Sequence, residues 1–106
     1  MNRNSIRNVV ENYSQTKFDG YLTDVLGDKA ISFIDKNYQS NNPFFLFLSF
    51  NAPHTPMHAK KEVLEKFKDN PRKVYASMMW SMDEAIGNVI ESLKENNQYD
   101  LSLIHI

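Results

Sequence analysis

The sequence predicts an α/β fold, a slice of a mostly parallel sheet covered by helices, with elements in the order helix–strand–loop–helix–strand. Three observations predict it. Residues 44–50, Phe-Phe-Leu-Phe-Leu-Ser-Phe, form a nearly unbroken apolar and aromatic run of strand length. Residues 71–97 carry a sustained helical period. Between them Pro53 and Pro56, three positions apart, exclude a regular helix and leave a loop.

Composition bounds what such a fold can do. The chain has 106 residues, 42% hydrophobic and 24% charged, as expected of a globular protein with one modest core. It contains no cysteine, which excludes disulfides, zinc-thiolate sites and thiol nucleophiles within these residues. A formal charge of -1 gives no electrostatic footprint for nucleic acid. The run 44–50 is far shorter than the ~20 residues that span a bilayer, so no membrane span is expected. No apolar stretch follows Met1-Asn2-Arg3-Asn4-Ser5-Ile6-Arg7-Asn8, so no signal peptide is visible.

Residues 1–21 are polar and asparagine-rich and predict irregular structure with one short strand, or else a poorly ordered terminus. Residues 23–38 predict a helix. Thr23 or Asp24 can cap its start, and Leu22, Leu26, Ala30, Phe33, Ile34 and Asn37 recur at spacings of three and four. Gly27 costs this helix about 1 kcal/mol relative to alanine. Asn41-Asn42-Pro43 ends it in a turn.

Residues 44–50 then predict a strand, and the lack of alternation predicts burial on both faces. After the 51–59 loop, a short helix runs from about Lys60 to Lys68 with Val63, Leu64 and Phe67 on one side. The long helix follows, with Pro71 in its first turn. Tyr75, Met78, Met79, Met82, Ala85, Ile86, Val89, Ile90 and Leu93 fall on its apolar face; Ser77, Ser81, Glu84, Asn88, Glu91 and Glu95 fall on the polar one. Trp80 points away from the apolar stripe, either as a surface residue or as a contact for protein outside this chain. Asn96-Asn97 ends the helix, and Leu101 to Ile106 reads as the start of a further strand, within which His105 is an unexpected residue. Two strands make no stable sheet alone, so the pattern predicts part of a larger domain.

Ligands of open α/β sheets bind beyond the carboxyl ends of strands. Here that place is Asn51-Ala52-Pro53-His54-Thr55-Pro56. The two prolines restrict Ala52 and Thr55 and hold His54 in a stiff loop, where imidazole can contact an anion, move a proton or bind a metal. His54 can equally be a turn residue with a satisfied hydrogen bond. His54 and His58 share the i, i+4 spacing of helical zinc ligands, but Pro56 between them removes the helix that spacing needs; His58 is expected to be an exposed loop residue. Asp83 at the edge of the apolar stripe is expected to find a structural partner. Lys60-Lys61 reads as a solvated helix start near enough to the histidine loop to steer anions.

The run Gly20-Tyr21-Leu22-Thr23-Asp24, then Ala30-Ile31-Ser32-Phe33-Ile34, then Asn42-Pro43 through the apolar run to Pro53-His54-Thr55-Pro56 resembles the sulfatase family. Tyr75-Ala76-Ser77-Met78 and Met82-Asp83-Glu84-Ala85-Ile86-Gly87 resemble that family's long helix. The resemblance implies an arylsulfatase-like sulfuric ester hydrolase of alkaline-phosphatase-like fold, which cleaves sulfate esters with a formylglycine nucleophile and a calcium ion. It implies that His54 is a catalytic, substrate-binding residue that contacts the sulfate. It assigns no metal ligand to this chain: the formylglycine signature is absent, and the aspartate–asparagine metal pair is expected beyond Ile106. Residues 1–106 are thus expected to be an internal fragment of a sulfatase catalytic domain, with 1–21 irregular, 22–100 family-like and 101–106 a truncated strand. The fragment is expected to be inactive alone. A periplasmic, secreted or lysosomal location is implied by the family only. Two alternatives remain: a fragment of a related phosphoester or phosphonate hydrolase on the same fold, and a non-catalytic α/β interaction module.

Overall fold

The computed structural model describes residues 8–106; expectations for residues 1–7 lie outside the described residues. The chain opens with an antiparallel hairpin of β1 (Asn8–Glu11) and β2 (Ser14–Lys17). Its two turn residues, Asn12 and Tyr13, have φ of 49° and 70°. Two successive left-handed residues give the turn twist that matches paired strands. Sequence reasoning allowed one short strand here and missed the pair, because neither Asn-Tyr nor the polar strand Ser14–Lys17 carries a strong hairpin signal. An exposed Lys29–Glu11 ion pair at 2.9 Å ties the hairpin to the first helix.

Helix α1 (Leu22–Asn37) begins one residue earlier than expected, and its cap position is Tyr21, with no side-chain cap hydrogen bond. Thr23 is buried instead, and Asp24 lies in the first turn, where its charge suits the helix dipole. The buried row is Thr23, Gly27, Ala30 and Ile34. At the far end the Asn37 amide donates to the Phe33 carbonyl at 2.7 Å.

Residues 44–50 run in an extended course whose burial alternates. Phe44, Leu46, Leu48 and Phe50 are half-buried, whereas Phe45 and Phe47 are 86% and 79% exposed. The Phe44 ring meets Phe33 of α1 edge to face at 5.5 Å. Two expectations find no counterpart among the described residues. The segment forms no ladder, since β1–β2 is the only sheet among the described residues, and it is buried on one face only. A strand assignment needs backbone partners, and none of the described segments supplies them. The parallel sheet and the helix–strand–loop–helix–strand order are therefore not seen among these residues; the architecture is α/β with two antiparallel strands and three helices.

Helix α2 (Lys61–Lys66) buries Val63, and Lys66 places its Nζ 4.2 Å from the centre of the Trp80 ring. Trp80 is thus half-buried under a lysine of this same chain. Helix α3 (Lys73–Glu95) starts after Pro71, in a turn where the Asn70 side chain accepts the Arg72 N–H at 2.8 Å. It ends as expected: Asn97 adopts φ 56°, and the Gln98 N–H reaches the Leu93 carbonyl at 2.7 Å, closing the final turn.

The buried face of α3 departs from the expected stripe. Ser77, Met78, Ser81, Ala85, Ser92 and Leu93 are buried, while Met79, Met82, Ile86, Val89 and Ile90 are only half-buried. The face is rotated toward the serines, which the sequence assigned to solvent. The reason is close packing against α1: a Cβ added to Gly27 would stand 3.2 Å from the Ala85 Cβ. Small residues permit that approach. Ser77 and Ser81 satisfy their hydroxyls on the carbonyls of Lys73 and Ser77, one turn back, at 2.6 and 3.0 Å.

A 3-10 turn, Tyr99–Leu101, follows, and residues 102–106 extend into solvent without pairing. The strand expected there does not form among the described residues, and His105 is exposed rather than buried. No helix is long and apolar enough to cross a membrane among the described residues.

Candidate functional site

The histidine loop follows the extended segment directly. The His54 N–H donates to the Asn51 carbonyl at 3.0 Å, which folds residues 51–54 into a turn, and the Ala52–Pro53 and Thr55–Pro56 peptide bonds are cis. Ala52 and Ala59 are buried at the two ends of the loop against Met78 of α3, with Leu64 and Val74 packed alongside. Between these anchors His54 to His58 are exposed.

His54 Nδ1 lies 2.6 Å from the Thr55 carbonyl oxygen. A carbonyl only accepts, so Nδ1 carries the hydrogen of this bond and Nε2 is the ring nitrogen left for a ligand. An imidazole held this way accepts at Nε2 when neutral and donates there only as the imidazolium. Contact with an anionic oxygen at Nε2 therefore requires the charged ring.

The downstream limb of the loop is tied to the start of α1. Tyr21 Oη donates to the His58 carbonyl at 2.8 Å, and the rings of Tyr21 and His58 meet edge to face at 6.5 Å. Lys60 Nζ donates to Asp24 Oδ2 at 2.9 Å, lies 3.9 Å from Glu84 Oε2, and stands 5.7 Å from the centre of the Tyr21 ring. Partial burial opposes the Lys60 charge, but the Asp24 hydrogen bond and the charges of Asp24, Glu84 and Glu62 outweigh it and raise its pKa above the ordinary lysine value. Burial raises the Tyr21 phenol, Asp24 adds to that, and a Thr23 hydrogen bond and Lys60 oppose it.

These placements correct two expectations. Lys60 is not a solvated helix start: its side chain is 19% exposed and occupied by two carboxylates. Asp83 is exposed and lies in no ion pair among the described residues. No group of three or more histidine, aspartate or glutamate side chains is placed to hold a metal among the described residues. Sequence reasoning singled out His54 and did not single out the contacts of Tyr21, Asp24, Glu84 and Lys60 around its loop. Its one signal for Tyr21 and Asp24 was that both lie in the Gly20–Asp24 run that carries the family resemblance.

A cleft of about 290 Å³ opens between α1 and α3, lined by Asp24, Asp28, Glu84, Asn88 and Lys60. Its one cation is already paired, and the cleft does not include His54.

Comparison with known proteins bears on these residues. A family model described as Sulfatase matches residues 1–106. The chain is similar to Uncharacterized sulfatase YdeN of Escherichia coli (strain K12), 32% identical over 98 residues that cover 89% of this chain and 18% of that protein. It is similar to N-acetylglucosamine-6-sulfatase of Capra hircus, 42% identical over 60 residues, covering 56% of this chain and 10% of that protein. Among solved structures it is similar to Ps i-CgsB in complex with k-i-k-neocarrahexaose, with a TM-score of 0.80 and 43% identity over 84% of this chain and 20% of that chain. The chain thus spans a fifth or less of the length of these relatives.

Proposed function

Because this chain belongs to the sulfatase family, we propose that the full-length protein carrying it hydrolyses sulfate esters and that His54 contacts the sulfate group of the substrate. The observation that carries this reading is an exposed imidazole on a loop anchored at both ends, with Nδ1 engaged and Nε2 left toward solvent. The leaving oxygen of a sulfate ester gains negative charge as the S–O bond breaks. An imidazolium Nε2–H fixed beforehand stabilises that charge without reorganising. The sulfated group is carried on a sugar in this reading. It draws on relatives named for sulfated aminosugars and on a solved relative in complex with a neocarrahexaose.

The family reading also includes formylglycine and calcium. In this reading neither is carried by this chain, whose sequence has no cysteine and no formylglycine signature. No step is assigned to either group here, and both belong to other parts of the full-length protein in this reading. The same holds for the sheet. We place residues 44–50 as a strand of a mostly parallel, alkaline-phosphatase-like sheet whose neighbours lie outside this chain, in a slice that runs from residue 22 to 100 and continues through 101–106. The alternating burial of 44–50, with Phe45 and Phe47 uncovered, supports that placement. The function is tested by sulfate release from a sulfated oligosaccharide by the full-length protein and its His54→Ala variant.

A further inference from the structure

The loop that carries His54 is held by bonds that come from far along the chain. Its upstream end is fixed by burial of Ala52 and its downstream end by burial of Ala59. Burial of two alanines fixes the ends of the loop but not its tilt, since methyl contacts have no direction. Direction comes from the residues on either side of Ala59. The His58 carbonyl accepts the Tyr21 hydroxyl at 2.8 Å, and the Lys60 ammonium donates to Asp24 at 2.9 Å. Both partners sit at the start of α1, Tyr21 at its cap position and Asp24 in its first turn. The Tyr21 hydroxyl donates to the His58 carbonyl of the loop and is also hydrogen-bonded to Thr23 of α1, so it links the two. Three consecutive residues, 58–60, are thereby locked by two directional bonds and one buried methyl.

We propose that Tyr21 and the Asp24–Lys60 pair are positioning residues for His54, an α1-borne clamp that sets the tilt of the histidine loop toward the sulfate ester. The proposal rests on the reading of His54 as a sulfate contact. None of the clamp residues touches substrate; they act through the loop. The charged pair is the stronger half, because a hydrogen bond between ionised groups outlasts a neutral one. The Tyr21 bond is the more selective half, because one oxygen atom distinguishes it from phenylalanine. A displacement of about 1 Å at a reacting group costs on the order of 100-fold in rate. Losing one of two bonds is expected to cost about 10- to 100-fold.

The test is a double-mutant cycle in the full-length protein, read as kcat/KM for a sulfated oligosaccharide with the melting temperature of each variant. Tyr21→Phe and Lys60→Met should each lower kcat/KM by about 10- to 100-fold. Lys60→Arg, which can still pair with Asp24, should recover most of the loss. In a His54→Ala background neither substitution should lower kcat/KM further, because the group being positioned is gone. Wild-type kcat/KM in Tyr21→Phe and Lys60→Met overturns the clamp while leaving His54 its role. Equal losses with and without His54 also overturn it and make these residues general packing elements. Wild-type kcat/KM in His54→Ala alone overturns both the sulfate contact and the clamp that depends on it.

Discussion

At the scale of single residues, the chemistry concentrates on His54 and Lys60, and they differ in how visible they are. His54 stands in the sequence between two prolines beyond an apolar run, so its loop and its exposure follow from local rules. The role of Lys60 depends on carboxylates 36 and 24 positions away, Asp24 and Glu84, and no local rule joins them. The structure gives Lys60 a definite pH signature. Its pKa in the folded chain is raised above the ordinary lysine value of 10.5 by Asp24 and Glu84. A raised folded value means that the pair's contribution to stability is fully present below the unfolded lysine pKa and is lost as pH climbs through the folded one. Lys60→Met should therefore melt at a lower temperature than the wild type at neutral pH, and the gap should close only above pH 10.5. A gap that closed near neutrality would contradict the ion pair. Gly27 supplies the second test at this scale. The sequence marks it only as a weak helix former, whereas its missing Cβ is what lets Ala85 approach. Gly27→Val should destabilise the protein by about 1–3 kcal/mol through overpacking, measured by denaturant unfolding.

At the scale of elements, helices were legible and the sheet was not. The long helix α3 and its termination at Asn96-Asn97 follow from period and capping alone. Which of its faces is buried does not, because the apolar stripe and the small-residue row compete. Apolar periodicity favours Met79, Met82, Ile86 and Ile90; close approach to α1 favours Ser77, Ser81 and Ala85, and close approach wins among the described residues. The cost of that choice appears at Ser92, whose hydroxyl is buried with no hydrogen-bond partner among the described residues. Leaving such a group unpaired costs about 1–3 kcal/mol, and alanine is also the better helix former. Ser92→Ala should raise the melting temperature, and a clear drop would show that the hydroxyl has a partner. The extended segment 44–50 was legible as strand-like from its aromatic run, but a ladder is a property of two segments, and composition cannot supply the second. The hairpin was illegible for the converse reason: Asn12 and Tyr13 turn the chain without the usual glycine.

At the scale of the whole molecule, the described parts pack around the contact between α1 and α3. Helices α1 and α3 pack closely, the segment 44–50 lies extended beside Phe33 of α1, and its far side, Phe45 and Phe47, is uncovered. The histidine loop leaves the end of that segment and is tied back toward both helices at Ala52, His58 and Ala59. The sulfatase family match spans the whole chain. In the proposed reading the nucleophile and metal come from outside this chain, and His54 is the one residue here that touches sulfate. The most direct measurement is sulfate released from a sulfated oligosaccharide by the full-length protein, with His54→Ala beside the wild type and the melting temperature of both recorded. The wild type should release sulfate, and the variant should lose on the order of 100-fold or more at unchanged melting temperature, the scale of removing one preorganised donor. Equal release by the two proteins would contradict the sulfate contact.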